Sequence, residues 1–292
     1  MENNIRKVAE VIELVEDGNS VAIGGVLNNR LPVALVHELI RKKRRNLDII
    51  SLEAPYAFDI LIGSKCVRSL DTAFCGFVSP GIGFAHMPNF RRAVEGGEIE
   101  MRENIGDCLI LGFEIGRLGI PFLALRSIFG SDILKTRPDY FKPIRSPFTQ
   151  EDMIAIPAYN PDVALIHAHR ADSFGNVQLD EAGFGLDEKI AFASKKVIVS
   201  VEEIVPHEEI RGQVNIPHFV VSAVVKVPWG AYPTSCYPFY DVDYQHLETY
   251  LKVAKERSTF EEYLRNYILE CPDHEVFLER ARVVPTTRKG GK

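Results

Sequence analysis

Short apolar runs alternate along the chain with segments that carry apolar residues at helical spacing. The runs predict strands at residues 20–23, 47–52, 67–77, 122–125, 163–168, 196–201 and 219–227. The helical spacing predicts helices at residues 4–16, 32–39, 57–62, 105–115 and 186–194, with three more from residue 246 onward. This alternation is typical of an α/β protein with an open, mostly parallel sheet and helices on both faces. We expect a single domain over residues 1–292, with a C-terminal helical part at about 245–284 and a frayed tail at 286–292.

The strand at residues 163–168 is the one around which the chain is organised. Its apolar body is followed by the polar residues His167, His169, Arg170 and Asp172, and then by the turn signal of residues 173–176. The carboxyl ends of parallel strands are where α/β proteins bind ligands. We therefore interpret this segment as a central strand whose exit helps to build a site.

A second candidate is the loop after the first strand, which contains Gly24, Gly25 and Val26. The glycines allow a ligand to approach the backbone, and Asn28 and Arg30 supply donors for a carboxylate, phosphate or thioester oxygen. The alternative is a tight connection between a strand and a helix.

A third candidate is Glu103, the last of the three nearby carboxylates Glu98, Glu100 and Glu103, at the boundary with an apolar helix. Partial desolvation there would raise its pKa and make it a base or nucleophile, although it could equally cap the helix. Arg126 follows the strand at residues 122–125 and precedes the turn Phe129, Gly130 and Ser131. It could lie in the site, or it could pair with a structural acid.

Other features narrow the class of protein. A net charge of −6 over 292 residues argues against a nucleic-acid partner. The basic run 41–45 is interpreted as a solvated helix end, with a contact to the phosphates of coenzyme A as the less favoured alternative. The glycine-rich segment 81–86 lacks the third glycine of a dinucleotide fingerprint and is interpreted as a loop that folds over a neighbouring site. Five scattered cysteines indicate neither disulfides nor a metal site. Without a signal peptide or a membrane-spanning run, the expected location is the cytoplasm.

Two stretches are more specific than these patterns. ALIHAHRADSFGNV at residues 164–177 and PWGAYPTSCYPFYDVD at residues 228–243 agree in order with Asp17-Gly18, the Gly24-Gly25 loop and Arg30, and with VSVEEIV at residues 199–205. Together they resemble the A (alpha) chain of the family I coenzyme A transferases, of the glutaconate CoA-transferase type. The resemblance implies that the substrate is a coenzyme A thioester and that no cofactor or metal is permanently bound. It also implies that the partner is a B (beta) subunit, in a heterodimer or heterotetramer, which would carry the attacking glutamate.

The resemblance leaves two other functions open. Arg102, Glu103 and Arg126 also resemble the alpha subunit of a related hydrolase of steroid degradation that opens a CoA-linked ring, which implies a catalytic role for Glu103. A catalytically silent homologue that binds acyl-CoA or acts as a scaffold is the third hypothesis. Arg30 and Arg126 suit an acyl group that bears a carboxylate, but they do not specify its length.

Overall fold

The computed structural model of the protein describes residues 7–81, 83–180 and 186–283. Its strands, numbered along the chain, are β1 (Ser20–Ile23), β2 (Leu47–Ile50), β3 (Val67–Thr72), β4 (Phe77–Ser79), β5 (Gly83–Ala85), β6 (Glu100–Glu103), β7 (Phe122–Leu125), β8 (Lys142–Arg145), β9 (Asp152–Pro157), β10 (Val163–Ala171), β11 (Val177–Gln178), β12 (Lys196–Ile204) and β13 (Ala223–Lys226). Its α-helices are α1 (Val8–Val11), α2 (Val33–Arg41), α3 (Pro55–Gly63), α4 (Pro88–Glu95), α5 (Gly106–Arg117), α6 (Ile133–Thr136), α7 (Leu186–Ala193), α8 (His207–Ile210), α9 (Tyr244–Val253), α10 (Arg257–Leu264) and α11 (His274–Arg280).

The main sheet is open and parallel, in the strand order β13, β12, β10, β1, β2, β3 and β6, and β11 pairs antiparallel with β10. This confirms the predicted architecture. The middle strand is β1, with β10 directly beside it. Asp162 fixes this junction, since its carboxylate accepts hydrogen bonds from the backbone N–H and the hydroxyl of Ser20 at 2.9 and 2.8 Å.

Both faces of the sheet are covered, and successive residues of each strand enter different cores. Val21 and Ile23 of β1 pack with α2, α3 and the C-terminal helices, whereas Ala22 packs with α5 and α7. In β10, Leu165 lies in the core with Val21 and Ile23, and Ile166 lies in the core with Ala22. This period of two is the geometry of a strand buried on both sides, and it accounts for the continuous apolar run in the sequence.

The prediction of one strand from residue 67 to residue 77 is wrong. The strand β3 ends at Thr72, where the backbone N–H of Phe74 donates to the Thr72 hydroxyl oxygen at 3.4 Å and turns the chain. Phe77 instead begins β4, which forms an antiparallel hairpin with β5. The segment 81–86 therefore contains the second strand of this hairpin, and Ile82 within it lies outside the described residues.

A separate antiparallel sheet, in the order β7, β9 and β8, lies within residues 122–157. It gives structure to the proline-rich segment 132–150, for which the sequence predicted no regular period. Arg126 was expected in the site because it follows a strand of the parallel sheet. That reason does not hold, because β7 belongs to the antiparallel sheet and does not end at the carboxyl edge of the parallel one.

The C-terminal helices α9 and α10 pack in the same core as α2 and α3, and Phe277 of α11 contacts His37 of α2. Asp243 and Asp273 cap α9 and α11 by accepting hydrogen bonds from backbone N–H groups. Buried Asp59 of α3 ties α9 to the body of the protein, since it accepts a hydrogen bond from the Tyr250 hydroxyl at 2.7 Å. The predicted frayed tail, residues 286–292, and the start of the predicted first helix, residues 4–6, lie outside the described residues.

Candidate active site

The carboxyl ends of β1, β2, β3 and β6 meet at one edge of the parallel sheet. Neighbouring strands lie about 4.8 Å apart, so the ends of β1 and β6 are separated by about 14 Å. The Gly24-Gly25 loop therefore lies at one end of this edge and Glu103 at the other. This edge contains two of the three regions predicted from the sequence.

The strand order reverses between β1 and β10, the point at which open α/β sheets usually bind ligands. Two histidines of β10 have partners within the protein here. The Nε2 atom of buried His167 lies 2.7 Å from Glu202, and Nε2 of His169 lies 2.7 Å from the carbonyl oxygen of Tyr237. These histidines therefore join β10 to neighbouring segments of the chain.

Asp172 and Arg170, the other polar residues at the exit of β10, also have internal partners. Asp172 accepts hydrogen bonds from the backbone N–H groups of Phe174 and Asn176 at 3.0 and 2.9 Å, which closes the turn. Arg170 donates to Glu203 at 3.1 Å. Each stabilises the end of the strand.

The backbone donors of the Gly24-Gly25 loop are used within the protein. Gly24 N–H donates to the carbonyl of Leu165 at 2.9 Å, Gly25 N–H to the carboxylate of Asp187 at 2.8 Å, and Val26 N–H to the carbonyl of Asn29 at 3.0 Å. The glycines are needed because a Cβ on Gly24 would collide with Asp187. The geometry is that of the tight connection named as the alternative, and a contact of this loop with a ligand stays a prediction.

Arg30 lies beneath this loop and is buried, with 4% of its surface exposed. Its guanidinium lies 2.7 Å from the carboxylate of Asp187, at the start of α7, and donates to the carbonyl of His167 at 3.2 Å. Burial alone would lower the pKa of Arg30, but the charge of Asp187 raises it. Arg30 is therefore a charged structural link between β1, β10 and α7.

Asn28 combines a used donor with a buried acceptor. Its Nδ2 donates to the carbonyl of Val78 at 2.7 Å, which attaches the β4–β5 hairpin to the loop. Its Oδ1 is buried and, among the described residues, has no hydrogen-bond partner. Asn28 therefore retains hydrogen-bonding capacity, as does Arg30, whose buried Nε also has no partner among the described residues.

Glu103 ends β6, and its side chain is exposed. Its backbone is fixed by Arg137, which donates to the Glu103 carbonyl at 2.9 Å. The buried carboxylate of Asp71 lies 3.4 Å from Arg137 and accepts hydrogen bonds from Asn104 at 3.0 Å and from the Tyr159 hydroxyl at 2.8 Å. A rigid polar network thus presents the Glu103 carboxylate at the carboxyl edge of the sheet.

Cys75 lies close enough to Glu103 to respond to its charge. Burial raises the pKa of the Cys75 thiol to about 12, and the negative charge of Glu103 adds to this shift. The thiol is therefore protonated at neutral pH, which makes it a poor nucleophile.

An open cleft of about 540 Å³ lies next to Glu103, between the start of α5 and the end of β7. Ile105, two residues after Glu103, lines one wall, and Leu125, Ser127 and Ile128 line the other. The lining is mainly apolar, which suits an acyl chain.

Arg126 stands between two residues that line this cleft, and its exposed guanidinium lies 2.7 Å from Glu151. The turn of Phe129, Gly130 and Ser131 follows the same wall, with half of the Phe129 surface exposed. The structure therefore places Ser127 and Ile128 in one wall of the cleft, places Glu103 two residues before Ile105 of the other wall, and leaves the Gly24-Gly25 loop at the far end of the edge. Whether these residues bind substrate stays a prediction.

Glu53 is a residue of this edge that sequence reasoning missed. It follows β2, and its backbone carbonyl accepts a hydrogen bond from Leu27 N–H at 2.8 Å. The carbonyl of the preceding Leu52 accepts from the Thr72 hydroxyl at 2.8 Å, so Glu53 lies between the loops after β1 and β3. Its side chain is half-buried, and this burial raises the pKa of its carboxyl. The only signal in the sequence was its position directly after a predicted strand.

The residues His167, Glu202 and Cys236 form the one group in the described ranges whose donor atoms lie close enough to hold a metal ion, within 4.8 Å of one another. The Glu202 oxygens already accept hydrogen bonds from the Tyr240 hydroxyl and the Trp229 N–H, both at 2.7 Å. We interpret the group as a buried hydrogen-bond network. No helix within the described ranges is both long and apolar enough to pass through a membrane.

The protein is thus an open parallel α/β protein with a mainly apolar cleft near the carboxyl end of β6. Residues 5–227 match the family described as Coenzyme A transferase, and the chain belongs to this family. This confirms the resemblance found in the sequence.

Three named proteins are similar to this chain over most of its length. It is 35% identical over 275 residues to the A chain of the 3-oxoadipate CoA-transferase of Pseudomonas knackmussii, covering 92% of this chain and 94% of the relative. The crystal structure of glutaconate coenzyme A-transferase from Acidaminococcus fermentans superimposes with a TM-score of 0.88 and 31% identity, over 97% of this chain and 96% of the other. The cholesterol ring-cleaving hydrolase IpdA subunit of Rhodococcus jostii is 29% identical over 269 residues, covering 89% of this chain and 90% of the relative.

Proposed function

We propose that this chain is the A (alpha) subunit of a two-subunit coenzyme A transferase, which moves coenzyme A between an acyl-CoA and a carboxylic acid. The proposal rests on the family and on relatives of nearly equal length that are named as the A chains of transferases. In this function the coenzyme A thioester is a substrate rather than a bound cofactor. The partner is a B subunit, in a heterodimer or heterotetramer.

The structural observation that carries the proposal is the mainly apolar cleft beside the carboxyl end of β6. A transferase of this kind needs a carboxylate that attacks the thioester carbonyl, and donors for the oxygen that becomes negative. The cleft supplies a wall for the acyl group. We place the attacking glutamate on the B subunit, so that the site is completed between two chains.

The second candidate is the alpha subunit of a hydrolase of steroid degradation that opens a ring in a CoA-linked substrate and uses Glu103. It is favoured by the exposure of the Glu103 carboxylate at the edge of the sheet and by the rigid support that Arg137 gives to its backbone. In this case Glu103 would act on water, as a general base, instead of forming part of the site wall.

The test is to co-express the chain with its partner subunit, incubate the complex with an acyl-CoA, and measure the mass of both chains. A mass increase on a glutamate of the partner is the expected result. Hydrolytic opening of a cyclic acyl-CoA without any mass increase on either chain, lost in Glu103→Gln but not in Glu100→Gln, would establish the hydrolase instead. Glu100 is a matched control because it is exposed on the same strand and pairs with Arg102 on the surface. A complex that shows neither a mass increase on a chain nor a reaction of the substrate would point to the silent acyl-CoA-binding or scaffold homologue.

A further inference from the structure

The charge at the carboxyl edge is not balanced in the part of the chain that the structure describes. Glu53 follows β2 and lies between the loops that follow β1 and β3. Neighbouring strands of a sheet are separated by about 5 Å. Among the described residues its carboxylate has neither a hydrogen bond nor an ion pair. Exposed Glu103 adds a second negative charge at the end of β6.

The arginines of segments that reach this edge do not offset these two acids. Arg30 is buried against Asp187, and Arg137 lies against Asp71. Arg102 lies 2.8 Å from Glu100, and Arg126 lies 2.7 Å from Glu151. Each guanidinium is thus paired with an acid of its own. Glu53 therefore remains a negative charge at the carboxyl edge, in addition to Asp107, which lines the cleft.

We propose that Glu53 is a specificity-determining residue that disfavours acyl groups with a distal carboxylate and favours neutral acyl groups. The inference rests on the proposed function, because it concerns the acyl-CoA that the same site takes. A half-buried carboxylate repels a second carboxylate more strongly than an exposed one does, since less water screens the two charges. This reverses the expectation from Arg30 and Arg126, which alone would suit a dicarboxylic acyl group.

The experiment compares two thioesters of equal chain length, glutaryl-CoA with a distal carboxylate and pentanoyl-CoA with a methyl group in its place. The complex with the partner subunit is assayed for transfer of coenzyme A to acetate. We expect kcat/KM to be higher for pentanoyl-CoA in the wild-type complex. In Glu53→Gln the ratio should shift about tenfold toward glutaryl-CoA, a change typical of removing one like-charge contact. Glu53→Asp, which keeps the charge, should retain the wild-type preference.

Glu16→Gln is the matched control, because Glu16 is an exposed acid that precedes β1 at the opposite edge of the sheet. It should leave the ratio unchanged. The inference is overturned by a wild-type complex that prefers glutaryl-CoA, a result that needs no variant, or by a Glu53→Gln complex with an unchanged ratio. A wild-type complex that transfers coenzyme A from neither thioester nor from any other acyl-CoA would overturn the proposed function, and this inference with it.

Discussion

Arg30 and Asp187, 157 positions apart in the sequence, form a buried ion pair with 2.7 Å between guanidinium and carboxylate. The second carboxylate oxygen of Asp187 accepts a hydrogen bond from Gly25 N–H at 2.8 Å. One acid at the start of α7 therefore holds both the glycine loop and the arginine that the sequence suggests for ligand binding. The main role of these residues is therefore structural, because they join β1, β10 and α7.

Asp187→Asn is expected to destabilise the chain by about 3–5 kcal/mol, because it leaves the buried charge of Arg30 without a partner. The measurement is the free energy of unfolding in urea. Glu151→Gln is the matched control, since it breaks the exposed pair with Arg126. An exposed pair contributes at most about 1 kcal/mol. Equal losses in the two variants would contradict the structural role of Arg30.

Gly25→Ala should destabilise the protein by about 3 kcal/mol or more. Gly25 has a φ of +75°, and a Cβ there would lie 2.6 Å from the carbonyl oxygen of Arg30. The substitution therefore adds a collision with backbone to the strain of a left-handed conformation. Gly97→Ala isolates the strain, because Gly97 has a φ of +65° and no atom within 4 Å of the added Cβ. We expect a loss of about 1 kcal/mol there. Thermal unfolding of both variants distinguishes the two effects.

Much of the fold follows from local sequence. Residues 20–23 and 122–125 form strands with the predicted bounds, because short apolar runs between turn signals have few alternatives. The direction of a strand is a different matter. A short apolar run does not indicate whether its strand pairs in a parallel or an antiparallel sheet. The placement of β7 in the small antiparallel sheet could therefore not be predicted.

The site was less predictable, because its contacts join distant parts of the sequence. The contact of Arg137 with Asp71 spans 66 positions, and nothing in either local pattern indicates the other residue. Glu103 was identified because it stands at a visible boundary between charged and apolar segments. Glu53 stands in the short connection between a predicted strand and a predicted helix, with no other charged residue beside it, and only the meeting of three strand ends reveals its position.

Tyr159→Phe is expected to destabilise the protein by about 1–3 kcal/mol, since it removes a hydrogen bond of 2.8 Å to the buried carboxylate of Asp71. The loosened network should also lower kcat if Glu103 acts in catalysis, because Arg137 of the same network fixes its backbone. The measurements are urea unfolding and steady-state kinetics of the complex. Tyr237→Phe, at an exposed side chain, should change the free energy of unfolding by less than about 0.5 kcal/mol. A Tyr159→Phe variant as stable as the wild type would show that the network adds nothing to folding.

The stability of the protein should fall as the pH is lowered from about 6.5 to 4, and His274 is one cause. His274 is buried at the start of α11, and its Nε2 lies 2.8 Å from the carbonyl oxygen of Trp229. Burial lowers the pKa of His274 to about 4. In this pH range the unfolded chain gains a proton at this residue that the folded chain does not take up, so unfolding is favoured by about 1.4 kcal/mol per pH unit.

The measurement is the urea midpoint of the wild type and His274→Gln at several pH values between 7.5 and 4.5. The variant is expected to be less stable at pH 7.5, where the wild type has its buried neutral imidazole, and to lose less stability on acidification. His86→Gln, at an exposed histidine, should keep the wild-type slope. If His274→Gln also kept that slope, the imidazole of His274 would have to titrate at the same pH in the folded and unfolded chains, against the burial that the fold imposes on it.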